Sequence, residues 1–350
     1  MSRIRVSDEE CISPPDMPDN AIRSVFQVAP EQAGQRVDVF LRHELRRTSR
    51  TRAQKIIRMS AYDEQGRRVR PGERVRAKQK ITLWRPPWDE SEVPTDIPIL
   101  YEDQHLLAVN KPAHLPVHPT ARYHHNTLIK LLQVSRPGQY LVLAHRLDRE
   151  TSGVILVAKT PTCDRLLKRQ FERRQGLEKE YVAFTCGIPQ WEPKEAIFRC
   201  EKKMELDPAS LSKVKMHISE GSSALSATTC FLLQEIAQGP QGKRYAKVQC
   251  LLESGRQHQI RLHLASLGAF IVGDKLYGLD ETYFMRAADG ELKEEDWEQL
   301  ELPRHALHAI RFQGEHPITK KPFDIYAPLA EDMKVFWGKQ TPLWKNPNGR

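Results

Sequence analysis

Two short apolar runs, Leu141-Val142-Leu143-Ala144 and Val154-Ile155-Leu156-Val157-Ala158, bracket a polar connection from His145 to Gly153. Runs this short, with β-branched residues in both, read as buried strands. From Ile97 to about Leu329 the chain alternates such runs with helical stretches, which predicts an α+β (mixed α/β) domain. The connection sets Asp148 between Arg146 and Arg149, and each nearby cation favours the charged form of a carboxylate. An ionised carboxylate serves as nucleophile or base, although an aspartate beside arginine in a loop is ordinarily a structural ion pair.

At 350 residues the chain has room for two or three domains. Its formal net charge of +9 suits an anionic partner and is unevenly placed. From Arg36 to Arg85 there are 16 Lys or Arg against 5 Asp or Glu, so that segment carries more than the whole excess. The Pro-containing start lacks a sustained apolar period, which leaves 1–32 as a loosely ordered tail. A basic module spans 33–86, a Pro- and acid-rich linker 87–96, the larger domain 97–330, and a C-terminal extension 331–350. Six scattered cysteines without a C-x-x-C pair exclude a zinc ribbon and a dense disulfide framework, making a reducing cytoplasm the default. No apolar run is long enough for a membrane span.

Within the basic module, Val37, Phe40, Leu41 and Leu45 recur at helical spacing, and a second helix is expected after Ser49, a good N-cap. Arg67 to Arg70 and Lys80 to Trp84, with Pro71-Gly72 between them, read as a small hairpin or two strands. Helices first and strands second resemble an S4-like RNA-binding module, with Ser49 to Lys55 standing where that family begins its RNA-facing helix. Arg50, Arg52, Lys55 and Arg58 then meet phosphates from one side of the helix, and an ordinary solvated basic face is the alternative.

The larger domain holds four further segments in order. These are Asn110-Lys111-Pro112 with Leu115-Pro116-Val117-His118-Pro119; His145-Arg146-Leu147-Asp148 with Thr151-Ser152-Gly153; Lys179-Glu180-Tyr181; and Gly255-Arg256-Gln257-His258-Gln259-Ile260-Arg261-Leu262-His263 with Gly273-Asp274 and Tyr277-Gly278. If the last is helical from about Gln257, Ile260, Leu264 and Leu267 share one face, and His258, Arg261 and Ala265 lie roughly opposite. The set resembles the RluA-type pseudouridine synthases.

That resemblance implies a catalytic domain with a largely antiparallel mixed sheet flanked by helices, beside a small α/β S4-like domain. It implies that Asp148 is the catalytic aspartate, that Tyr181 stacks on the target uracil, and that Arg261 pairs with Asp148, with Arg256 as the other candidate. Arg146 enters the RNA where the base is extruded, and Arg256 and His258 contact RNA. The partner is RNA, large-subunit ribosomal RNA by association with the S4-like module, and transfer RNA is the alternative. A catalytically silent RNA-binding protein is the alternative of another class. No H-E-x-x-H or convergent carboxylate pattern suggests a metal, and no P-loop or G-x-G-x-x-G suggests a nucleotide cofactor. A monomer needing neither is expected.

Overall fold

The computed structural model describes residues 12–15, 17, 18, 21–45, 49–86, 90–120, 123–173 and 176–348. Residues 1–11, 16, 19 and 20 of the expected tail and 87–89 of the expected linker lie outside the described residues. The chain divides into two compact units, Met1–Glu90 and Ser91–Arg350.

The first unit contains β1 (Ile22–Gln27), α1 (Val37–Glu44), α2 (Arg50–Ser60), β2 (Ala61–Tyr62) and β3 (Lys80–Arg85), and its antiparallel sheet runs β1-β3-β2. Val37, Phe40, Leu41 and Ile57 pack on Ile81 and Leu83, so the helices bury the stripes their spacing predicts. Ser49 Oγ accepts from Arg52 N–H at 3.2 Å, capping α2. Such a cap contributes about 1 kcal/mol.

The expected hairpin differs from the observed sheet. Arg67–Arg70 is not a strand; only Arg68 bridges to Tyr62, and β3 pairs instead with β1 on one side and β2 on the other. The strand Ile22–Gln27 lies inside the stretch read as a tail, because only Ile22 among its six residues is buried and no apolar alternation marks it.

The second unit runs β4 (Ile99–Glu102), β5 (Leu106–Lys111), α3 (Leu128–Ser135), β6 (Val142–Leu143), β7 (Ser152–Ala158), α4 (Pro161–Arg173) and β8 (Leu177–Cys186). It continues through β9 (Phe198–Leu206), β10 (Met216–Ile218), β11 (Leu225–Gln238), β12 (Arg244–Leu252), α5 (Gln259–Ser266), α6 (Thr282–Asp289) and α7 (Glu294–Leu300). It ends with β13 (Leu307–Glu315), β14 (Pro322–Tyr326), α8 (Glu331–Gly338) and β15 (Thr341–Lys345). The sheet order is β10-β9-β11-β12-β8-β13-β7-β5-β4, with β14 on β13, β15 on β11 and β6 on β7. Among the described strands every pairing is antiparallel except β7 with β13, giving the largely antiparallel mixed sheet.

Every residue of β7 is buried, which explains its unbroken apolar run. Side chains alternate across a strand: Ile155 and Val157 join a core with Leu107, Val109 and α3 residues, while Val154, Leu156 and Ala158 join another with Leu106, Leu167 and Phe312. Both faces of the strand that follows the Asp148 connection are therefore fixed. The stretch read as a C-terminal extension is built into this unit, since Met333 and Phe336 of α8 enter the main core and β15 pairs with β11. No helix among the described residues is long and apolar enough to cross a membrane.

Candidate active site

The loop between β6 and β7 is anchored at both ends before it presents anything. His145 is half-buried, and desolvation chiefly lowers its pKa to about 3, so its neutral Nε2 accepts from Leu156 N–H at 3.0 Å while the ring stacks on Phe312. Leu147 enters the main core. At the far end Gly153 has φ 109°, and a Cβ there would lie 2.1 Å from the Ala309 carbonyl oxygen, so only glycine lets β7 meet β13 at this point.

Between these anchors the side chains separate by role. Glu150 is held by Lys275 Nζ at 2.9 Å and the His305 N–H at 3.2 Å, and Thr151 Oγ1 lies 2.7 Å from His305 Nε2. Arg146 is exposed. Arg149 reaches the Tyr123 hydroxyl at 3.2 Å and Glu150 at 3.6 Å. The flanking arginines thus do not hold Asp148, contrary to the reading from the loop alone: side chains adjacent along an irregular loop diverge.

The cation on Asp148 comes from α5. Arg261 Nη1 donates to Asp148 Oδ2 at 3.1 Å, while Nε and Nη2 grip Asp274 Oδ2 and Oδ1 at 2.7 and 2.8 Å. Asp274 Oδ1 also accepts from the N–H groups of Leu276 and Tyr277. Charge-assisted forks of this kind fix orientation as well as charge. Burial pushes the Asp148 pKa upward, but His258 when protonated, Arg261 and His305 outweigh it and hold the group at about 2. Because His258 itself is lowered to about 4, chiefly by burial and then by Arg261, the fixed positive charge near neutral pH is Arg261. Asp274 is likewise kept far below the usual range, the Arg261 guanidinium overcoming burial.

Helix α5 starts at Gln259 rather than Gln257, because the turn before it is organised by the Gln259 side chain. Its Oε1 accepts from Ser254 Oγ at 2.8 Å and Arg256 N–H at 3.0 Å, and its Nε2 donates to the Thr228 carbonyl and Thr229 Oγ1, both at 2.9 Å. His258, at the helix N-cap, takes the left-handed conformation with φ 57°. Arg256 Nε donates to the Ser226 carbonyl oxygen at 3.2 Å, so of the two candidate arginines it is Arg261 that meets Asp148.

Arg146, Asp148, Tyr181, Arg256, His258 and Arg261 all line one cleft of about 1120 Å³. Tyr181 stands on β8, buried, with its phenol pushed well above the usual range first by burial and then by Asp148, so it stays protonated. Ile260, Leu252 and Leu307 add apolar wall. A polar floor beside a protonated aromatic hydroxyl and apolar walls suits a flat, partly polar ring. The other four candidates lie on α2 in the first unit. Arg52, Lys55 and Arg58 are exposed, whereas Arg50 Nε donates to the buried Asp38 carboxylate at 3.1 Å, a partner shared with Arg36 and Gln54. Among the described residues no three His, Cys, Asp or Glu side chains converge as a metal site.

Sequence reasoning assigned no role to Asp274, Tyr277 or Gln259, although all three stand in or beside the quoted motifs. Their partners lie on other elements or on turns whose geometry spacing does not give.

Residues 105–266 match the family model described as RNA pseudouridylate synthase. The ribosomal large subunit pseudouridine synthase D of Zymomonas mobilis is 31% identical over 325 residues, covering 88% of this chain and 94% of that protein. The ribosomal large subunit pseudouridine synthase C of Escherichia coli is 29% identical over 327 residues, covering 89% and 94%. Among solved structures, human RNA pseudouridylate synthase domain containing 1 shares the fold with a TM-score of 0.55 and 23% identity, covering 73% of this chain and 93% of that one. With its aspartate loop, lysine-tyrosine strand and arginine helix meeting at one cleft, and with likeness running almost end to end, this chain belongs to the RluA-type family of RNA pseudouridine synthases.

Proposed function

We propose that this RNA pseudouridine synthase acts on uridines of large-subunit ribosomal RNA, with Asp148 as its catalytic carboxylate. The observation that carries the site reading is the Arg261–Asp148 contact of 3.1 Å within the cleft, which keeps an aspartate ionised where a nucleotide can reach it. The ribosomal substrate is supported by the names of the two bacterial relatives.

Uridine and pseudouridine contain the same atoms, so the net reaction needs no co-substrate. Asp148 acts on the sugar to expel uracil, either attacking C1′ or removing the 2′ proton. The freed base turns, C5 bonds to C1′, and loss of the C5 proton with protonation of N1 completes the isomerisation. Tyr181 lies against the base and keeps it from leaving. The target nucleotide must first leave its stack, at least cost in loops and bulges, and Arg146 fills the space it vacates. Arg256 and His258 face the flipped nucleotide, and Arg52, Lys55 and Arg58 of the first unit hold RNA phosphates, with Arg50 tied mainly to Asp38. The enzyme works as a monomer in the cytoplasm without a metal.

Mapping pseudouridine in ribosomal and transfer RNA, with and without this gene, tests the proposal. Loss confined to large-subunit ribosomal RNA is the expected result. Loss confined to transfer RNA overturns the substrate, and restoration of the lost sites by Asp148→Asn overturns the catalytic assignment.

A further inference from the structure

We infer that His258 is an uncharged hydrogen-bond donor to the catalytic carboxylate, with its tautomer fixed by Tyr277. This rests on the reading of Asp148 given above and assigns a positioning residue that acts through it.

One arrangement pairs every polar atom in this chain of contacts within the protein. The Tyr277 hydroxyl accepts from Met216 N–H at 2.8 Å and lies 2.9 Å from His258 Nδ1. A hydroxyl has one hydrogen to give. If Tyr277 accepted from both neighbours, its own hydrogen would have no acceptor among the described residues, whereas donation to His258 Nδ1 pairs every polar atom of the set within the protein. On that pairing Tyr277 donates to His258 Nδ1. A neutral imidazole that accepts at Nδ1 carries its hydrogen at Nε2. That nitrogen lies 3.9 Å from Asp148 Oδ2, the same oxygen that receives Arg261 Nη1.

A movement of about 1 Å brings the Nε2–H into hydrogen-bond range, as apo sites commonly require on binding substrate. Both protein donors then converge on Oδ2. Oδ1, which no described residue meets with a hydrogen bond, is left to the sugar. His258 is nearly buried, and burial with Arg261 beside it keeps the ring neutral above about pH 4, so it orients the carboxylate without adding a competing acid. The left-handed backbone at φ 57° turns the ring toward Tyr277 rather than along the helix axis.

That backbone conformation supplies the decisive comparison. Asparagine tolerates positive φ better than glutamine does, whereas glutamine reaches the Nε2 position of histidine with an N–H and asparagine falls short. A role in backbone shape alone ranks His258→Asn at or above His258→Gln; a donor role ranks them the other way. The assay is single-turnover release of C5 tritium from total RNA of a strain lacking the gene, using full-length enzyme in excess, with RNA affinity and thermal melting measured in parallel.

His258→Gln is expected within about threefold of the native rate, while His258→Asn and His258→Leu fall by about tenfold to a hundredfold. Tyr277→Phe keeps the ring and is expected to lose about fivefold in rate with RNA affinity unchanged. Asparagine and glutamine variants of equal activity, or a Tyr277→Phe enzyme at the native rate, overturn the inference. An inactive Asp148→Asn control with that result confines the failure to His258, and an active one overturns the reading of Asp148 as well.

Discussion

At the scale of single residues the site depends on a guanidinium shared between two carboxylates. Asp274 is completely buried and takes two of the three Arg261 nitrogens. Asp274→Asn leaves a buried cation half-partnered, and breaking one side of a buried pair costs about 3–5 kcal/mol. Urea unfolding should show that loss, and single-turnover isomerisation should slow because Arg261 no longer holds its angle to Asp148. The pH dependence follows from the sign of the Asp148 shift. Its pKa falls from 3.8 to about 2, so the stability it adds is present above pH 4 and is lost as pH falls toward 2. A kcat/KM profile should therefore show no acid limb from this carboxylate down to about pH 4; a limb between pH 5 and 7 tied to Asp148 would contradict the ion pair. The Asp148–Arg261 contact was legible because both residues stand in long motifs. Asp274 and Tyr277 stand in the same motifs with no role legible there, since their partners Arg261 and His258 lie 13 and 19 residues away and only the folded turn brings them together.

Among elements, β7 links sequence pattern to chemistry most directly. Its apolar run is buried on both faces, and the Gly153 at its start, against β13, also ends the loop that carries Asp148. Gly153→Ala forces a Cβ onto the Ala309 backbone at φ 109°, a clash with no flexible side chain to yield. The expected cost is at least about 2 kcal/mol by denaturant unfolding, with loss of activity beyond that explained by unfolded enzyme. Helices α1 and α2 could be read from periodicity because each buries a continuous stripe, and strand β7 from its unbroken apolar run because both of its faces are buried. The Arg67–Arg70 strand could not be read correctly, since polar alternation near a Pro-Gly turn also suits a loop with one bridge. The delayed start of α5 is a side-chain effect, in which Gln259 replaces the missing backbone contacts of the turn.

For the whole molecule, charge and chemistry are divided between the two units. The segment from Arg36 to Arg85 holds the basic surplus, while the second unit holds the cleft. Neutralising Arg52, Lys55 and Arg58 together should flatten the dependence of log affinity on log salt by about 2–3, if each meets a phosphate. The rate at saturating enzyme should remain unchanged; an unaltered salt slope would assign the row to solvent. Whether Asp148 performs the isomerisation is decided by C5 tritium release from total RNA with Asp148→Asn enzyme whose melting and RNA affinity match the native protein. Release at background is expected, and turnover approaching the native rate would assign the chemistry to another group.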